Sequence, residues 1–349
     1  MSIITCQYRI KDSQHRNYLK CLSYASNYVW NYCNGISILA WGRDRKWLTA
    51  YDLINLTAEC GSELGLHSQT IQAICQEYAM RRKQFGKRRL AWRSHKRSLG
   101  WIPFKVSGVK LIGDAIRYGG CLFRLWLSRP VEGSIKTGSF TQDTRGRWYV
   151  NLQCKVADEP QLSLGLDGIG IDLGLKDQIA CSDGILYSRA NLTRTYEDKL
   201  AMAQRAGKKN RVKAIHAKIK NIRKDWTHKV TPAIVRRANF IAVGDVSSTK
   251  LAKTRMAKST YDAGWGMIRH QLEYKAIRLA GVCVPVREMF SSVTCSVCLK
   301  RTGLSGLGAL GVRVWTCSAC GTRHHRDINS AHNHLRLGRQ TPIKGIPSA

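Results

Sequence analysis

The sequence predicts a multidomain chain of α+β and α/β character. A helical segment and a small β-barrel or β-sheet module occupy the first 160 residues, and an α/β domain follows. Three observations carry this. The chain has 349 residues, more than one ordinary domain of roughly 150. Its texture changes near Gly100, from long helical periodicity to short alternating runs with glycine turns. From Gly165 strand-like and helix-like segments alternate.

Residues 2–10 alternate weakly and predict a strand that joins the β module. Residues 14–41 predict a helix whose apolar face holds Leu19, Leu22, Tyr24, Ala25, Val29 and Tyr32. Residues 68–92 predict a second long helix, with Ile71, Ile74, Cys75 and Tyr78 at helical spacing and Ser68 as N-cap. Between residues 101 and 157 the clearest strands are Cys121–Leu127 and Trp148–Gln153, with a turn at 144–147. Residues 158–163 read as a linker. After Gly165 the order is strand, turn, strand, helix, strand, helix, strand, and the middle helix covers residues 195–237. The segment after Leu335 carries Gly338, Pro342, Gly345 and Pro347 and reads as a loose tail.

Charge narrows the function. The chain has 57 Lys and Arg against 23 Asp and Glu, a net charge of +34. Such an excess repels itself in a compact state, so a polyanion is the expected partner, and nucleic acid is the leading one. Ten Trp and a hydrophobic fraction of 44% exclude a disordered basic tail. Residues 81–97 hold nine Lys/Arg and no acid, and residues 199–237 hold thirteen with one acid, Asp225. A solvated face would mix the signs. The expected phosphate contacts are Arg81, Arg82, Lys83, Lys87, Arg88, Arg89, Lys208, Lys209 and Arg211, with Trp92, Trp226 and Tyr261 as candidate base-stacking rings. No apolar run approaches the roughly 20 residues of a membrane span, and the start lacks signal-peptide character. A cytoplasmic, nucleoid-associated protein is expected, with no membrane partner and a monomer favoured.

Of thirteen Cys, nine are scattered and read as small buried hydrophobes. The other four form Cys295-x2-Cys298, eighteen residues, Cys317-x2-Cys320. Two such knuckles close a tetrahedron of thiolates around structural Zn²⁺.

Twelve acids follow residue 160. Asp172 stands in an apolar strand between glycines, where a charge is costly without a balancing cation. Asp327 opens a helix just after the cysteine pairs. Phosphodiester cleavage by paired Mg²⁺ ions needs about three converging acids. Asp245, Glu273 and Glu288 compete for the third place, and Glu288 ends a strand, where open α/β sheets put their sites.

Together these residues resemble TnpB, the family of transposon-encoded RNA-guided nucleases related to type V CRISPR effectors. The matching motifs are Gly170-Ile171-Asp172-Leu173-Gly174, the run Phe240 to Val246, Asp262 to Gly266 and Gln271 to Ala276. Ser291 to Cys298, Trp315 to Gly321 and Arg326 to Asn333 complete them in order. The match covers residues 165–335 closely; residues 1–160 match only in layout. The resemblance implies an RNase H-like (RuvC) domain over 161–290 and 323–336, with a zinc ribbon over 291–322 inserted before its last element. It further implies a wedge-like β-barrel over 1–10 and 100–160, a helical recognition lobe over 11–99 and a flexible tail over 337–349. A guide RNA from the transposon end and a double-stranded DNA target are the implied partners, with a short motif beside the target also recognised. The family has Glu where this chain has Gly244, and Asp245 is no simple substitute because adjacent strand residues face opposite ways. In one branch the glutamate stands at the end of the next strand, where this chain has Glu288. The resemblance thus implies Asp172, Glu288 and Asp327 as catalytic Mg²⁺ ligands. The alternatives are a nuclease-dead relative that binds DNA under guidance, and an accessory binder of transposon RNA or DNA.

Overall fold

The computed structural model describes residues 2–11, 15–86, 89–157, 166–246, 257–304 and 311–341, so the expected 158–163 linker, Lys87, Arg88 and most of the tail lie outside the described residues. The chain divides into two units, Met1–Ala157 and Asp158–Ala349. Among the described residues no helix is long and apolar enough to cross a membrane.

In the first unit, alternating burial along Trp148–Val156 and its neighbours builds a seven-stranded sheet. Its strands are β1 (Ser2–Ile10), β2 (Trp101–Lys105), β3 (Val109–Ile112), β4 (Ala115–Tyr118), β5 (Cys121–Trp126), β6 (Ser134–Gln142) and β7 (Trp148–Val156), in the order β2-β6-β7-β1-β5-β4-β3. The edge strands β2 and β3 are consecutive in the chain, joined by the single turn Val106–Gly108, so the sheet curls nearly closed. Strand β1 sits inside it, paired with β7 from Ser2↔Val156 to Arg9↔Tyr149. Tyr118, Phe123 and Phe104 ring Phe140 at 5.2, 5.3 and 5.3 Å between centroids. Helices α1 (Arg16–Asp44), α2 (Ala50–Leu56), α3 (Cys60–Leu64) and α4 (Ser68–Phe85) share this one core.

Three sequence expectations fail here for local reasons. Helix α4 stops at Phe85, not 92, because Gly86 turns left-handed at φ 57°. Its N-cap is His67, whose Nδ1 accepts the Gln69 amide at 3.2 Å, and not Ser68. Tyr24 and Tyr32 are exposed, because α1 turns small polar residues inward. Asn34 Nδ2 donates to the Leu90 carbonyl at 2.9 Å and Asn31 Nδ2 to the Arg93 carbonyl at 2.7 Å, which clamps an extended strip where more helix was expected. The scattered cysteines also divide: Cys6, Cys33, Cys75, Cys154 and Cys181 are buried, whereas Cys21 is exposed.

In the second unit, five strands form a mixed sheet in the order β10-β9-β8-β11-β12. They are β8 (Ile169–Asp172), β9 (Asp177–Cys181), β10 (Leu186–Ser188), β11 (Phe240–Gly244) and β12 (Val282–Val286). Strands β8, β11 and β12 are parallel; at one side β9 pairs antiparallel with β8, and β10 antiparallel with β9. The expected 195–237 helix is three pieces: α5 (Leu192–Thr195), α6 (Glu197–Arg205) and α7 (Lys209–Val235). Gly207, at φ 63°, lets α6 fold back so that Leu200 and Ala203 meet Val212, Ile215 and Ile219. Helices α7 and α9 (Trp265–Arg278), preceded by α8 (Ala257–Ala263), cover one face of the sheet through Val230, Ile234, Ile268 and Leu272.

The last helix, α10 (Arg326–Arg339), covers the other face. It lies so close that a Cβ on Gly170 would come within 1.8 Å of the Ala331 carbonyl oxygen. Gly170 is therefore glycine because a helix backbone rests on it.

Candidate metal centre

Strand parity decides which side chains meet under α10. Ile169 and Ile171 face α7 and α9, so Asp172 faces α10. Ile241 and Val243 likewise face α7 and α9, which leaves Gly244 on the α10 side. Val284 and Val286 pack toward α10, and Glu288 follows two residues later. An oxygen of Asp172, an oxygen of Glu288 and a ring nitrogen of His334 all lie within 4.8 Å of one another. A Cβ on Gly244 would stand 2.5 Å from Glu288 Oε1 and 2.7 Å from His334 Cε1. The space a residue-244 side chain would need is filled by Glu288.

The pocket is electrostatically unfavourable as it stands. Burial, with the nearby Asp327 charge adding, raises Asp172 to about 7, although the Ser330 hydroxyl 2.9 Å from its Oδ1 pulls the other way. Burial first, then the charges of Asp172 and Asp245, raise Glu288 to about 8. Burial holds His334 down at about 4, so the ring is neutral. Glu288 Oε1 and His334 Nε2 are both buried with no hydrogen-bond partner. Two orphaned acceptors beside a second carboxylate are the donor set a divalent cation needs.

The other acids are placed as follows. Asp327 is buried near the start of α10, close enough for its charge to act on Asp172, but both its oxygens are held by Arg313 Nη1 at 3.0 and 2.8 Å. It is outside the 4.8 Å group. Asp245 turns to the opposite face and pairs with Arg269. Glu273 belongs to α9 on that face, where its charge reaches Cys283. Asp262 is buried against Arg223 at 3.0 Å and accepts the Leu192 amide at 2.9 Å. Sequence reasoning missed His334, Ser330 and Arg313. The first two were legible as a helical face, since Asp327, Ser330 and His334 stand at i, i+3 and i+7.

The four cysteines converge, all Sγ atoms within 4.8 Å of one another. Cys295 and Cys320 lie 3.7 Å apart, Cys298 and Cys317 3.5 Å. The two knuckles match: Leu299 and Gly321, each directly after a pair, turn left-handed at φ 64° and 72°. Thr302 Oγ1 donates to Cys317 Sγ at 3.0 Å, and His324 Nε2 lies 3.0 Å from Cys295 Sγ. The Thr302 hydrogen bond holds Cys317 down at about 6, toward the thiolate, and four converging Sγ atoms fit Zn²⁺. Helix α10 grips this region: Asn333 Nδ2 donates to the carbonyls of Ser291 and Thr294 at 2.9 and 2.7 Å, and Asn329 Oδ1 accepts the Ser296 amide at 2.8 Å.

The basic residues divide. Lys83, Arg89, Lys208, Lys209 and Arg211 are exposed. Arg81 is tied to Glu77 Oε1 at 2.6 Å. Arg82 is half-buried, donates to the Leu48 carbonyl at 2.8 Å and stacks over Trp47, which makes it a structural arginine in the first unit. Trp92 and Tyr261 are exposed, whereas Trp226 packs against the second core.

Residues 265–334 match the model of the Cas12f1-like TNB domain. A putative RNA-guided DNA endonuclease of Streptomyces pristinaespiralis is 33% identical over 227 residues, 60% of this chain and 55% of that relative. The chain therefore spans about half the length of that protein. The putative RNA-guided DNA endonuclease InsQ of Escherichia coli K12 is 25% identical over 305 residues, 78% of this chain and 74% of InsQ. A solved complex of Cas12f1 with sgRNA and target DNA aligns over 96% of this chain and 99% of its own, at 14% identity and a TM-score of 0.37.

Proposed function

From the pocket of this chain, which belongs to the TnpB family, we propose an RNA-guided DNA endonuclease that hydrolyses phosphodiesters at Asp172, Glu288 and Asp327. The observation that carries the reading is the occupied space above Gly244. Glu288 Oε1 fills the place of the residue-244 side chain, and an oxygen of Glu288 lies within 4.8 Å of one of Asp172. A glutamate moved from strand β11 to the end of β12 thus reaches the same pocket. The strand order, with three parallel strands extended at one side by two antiparallel pairings and closed by α10, supports an RNase H-like (RuvC) domain, and the four cysteines support a zinc ribbon set before its last helix.

In this reading Asp172 and Glu288 would hold divalent cations, Mg²⁺ in the cell, and Ser330, donating to Asp172 Oδ1 at 2.9 Å, fixes that carboxylate. Such cations lower the pKa of water and stabilise the leaving oxygen. Asp327 joins them once Arg313 is drawn away, and a nucleic-acid phosphate is the natural competitor for that guanidinium. The exposed basic side chains of α7 and of the α4 end neutralise phosphates, while base pairing between guide and target reads sequence.

The test is cleavage of a matched target by the protein with its guide RNA and Mg²⁺. Asp172→Ala and Glu288→Ala are expected to lower the rate by about 10³ or more, the several kcal/mol a metal site supplies. Full activity in Glu288→Ala overturns the assignment of Glu288. Guide-dependent binding with no cleavage in the parent chain leaves a binding protein.

A further inference from the structure

We propose that His334 is a nitrogen ligand of this metal pocket, binding through Nε2, so that the centre is a mixed imidazole–carboxylate site. The inference rests on the metal reading above and adds a donor to it.

His334 is fully buried on α10. Its Nδ1 lies 2.9 Å from the carbonyl oxygen of Ile171 in β8. A carbonyl only accepts, so Nδ1 carries the hydrogen and Nε2 keeps its lone pair. A ring locked through Nδ1–H to a backbone carbonyl is the arrangement that orients metal-ligating imidazoles. The same contact keeps Nδ1 from serving as the donor, although it is 3.8 Å from Asp172 Oδ1.

Nε2 is buried without a partner, and so is Glu288 Oε1. Both His334 Cε1 and Glu288 Oε1 border the small space over Gly244. A ring nitrogen of His334 lies within 4.8 Å of an oxygen of Glu288 and one of Asp172, and buried acceptors gathered that closely repel unless a proton or a cation stands among them. A histidine that served only to fill the core would have its second nitrogen satisfied or replaced by carbon. Hard oxygen ligands suit Mg²⁺, whereas an imidazole favours the transition ions. The His334 donor therefore tilts the pocket toward Mn²⁺ and its neighbours relative to an all-carboxylate site.

The experiment uses the full-length, zinc-loaded protein with Mn²⁺ as the added probe and reads pulsed electron paramagnetic resonance, to which Zn²⁺ is silent. The expected result is nitrogen modulation of the bound Mn²⁺ that changes isotope pattern when histidine is labelled with ¹⁵N. In His334→Gln the modulation is lost and the Mn²⁺ Kd rises by about tenfold or more. The labelling arm needs no variant, so the test stands even where His334→Gln folds poorly. Bound Mn²⁺ that weakens in Glu288→Gln yet shows no nitrogen coupling overturns the His334 ligand and leaves the carboxylate site standing. Nitrogen coupling that survives in His334→Gln overturns it as well. Mn²⁺ binding indifferent to Glu288→Gln overturns both readings.

Discussion

The two ligand clusters of the second unit are built in opposite ways. The cysteine cluster takes its donors from two short turns, with three-residue steps inside each pair and matched left-handed residues behind them. Its sulfurs already have polar partners close by, Thr302 donating to Cys317 and His324 Nε2 standing 3.0 Å from Cys295. The carboxylate pocket takes Asp172, Glu288 and His334 from three distant segments and leaves two acceptors orphaned. In the proposed reading, a structural metal site is satisfied by its own turns, while a reactive one stores uncompensated charge that a cation or substrate relieves. Helix α10 couples them, since Asn329 and Asn333 hold the first knuckle and Ser330 and His334 face the acids.

The comparison can be broken first at the knuckles. Structural zinc supplies on the order of 10 kcal/mol to small zinc domains. Chelation, or Cys317→Ser, should therefore unfold residues 291–325 and abolish cleavage, as read by proteolysis and zinc content. Retained cleavage with zinc lost would show that α10 does not need the ribbon.

The next effect is at Gly244. Gly244→Glu in the parent chain forces two carboxylates into one space and should cut cleavage by about 10² or more. Gly244→Glu combined with Glu288→Ala relieves the clash and should recover part of that loss. A double variant no better than Glu288→Ala would mean that the two positions do not share a pocket.

Titration gives a smaller effect of opposite sign in the two metal states. Asp172 and Glu288 are raised to about 7 and about 8, so the folded protein holds protons the unfolded chain has released. Without divalent cations, these two acids make stability fall as pH rises from about 4 to 8, while His334, held down at about 4, offsets part of that fall below about 6.5. Melting temperatures should track this, and Asp172→Asn should flatten the slope. Mn²⁺ affinity should rise over the upper part of the same window, because binding expels those protons. A melting temperature that climbs between about pH 6.5 and 8 would contradict the buried-acid picture.

The gentlest effect belongs to the basic surfaces. If about ten phosphates are neutralised, log K for nucleic acid should fall against log salt with a slope near −9. Lys209→Ala should reduce that slope by about 1, whereas Arg82→Ala should act on stability instead.

Much of this was legible in the chain. The cysteine spacing identified the knuckles, and alternation identified β1, β5 and β7. The rule that neighbouring strand residues face opposite ways removed Asp245, which the fold places against Arg269. Helix boundaries at Gly86 and Gly207 were not read, because a single glycine ends a helix only where the chain is forced left-handed. Arg82 and Arg93 looked like free charges, but Trp47, Trp30 and Trp101 cover them.

Local spacing and composition by themselves determined the cysteine knuckles and the excess of positive charge, since each depends on neighbours in the chain or on a sum over it. The tertiary structure alone decided that Glu288 turns over Gly244, that Arg313 covers Asp327, and that His334 Nε2 is buried without a partner. The first and last depend on which faces of β8, β11, β12 and α10 are pressed together, and the same packing brings the Ser330 and Asp172 side chains, 158 residues apart, within 2.9 Å.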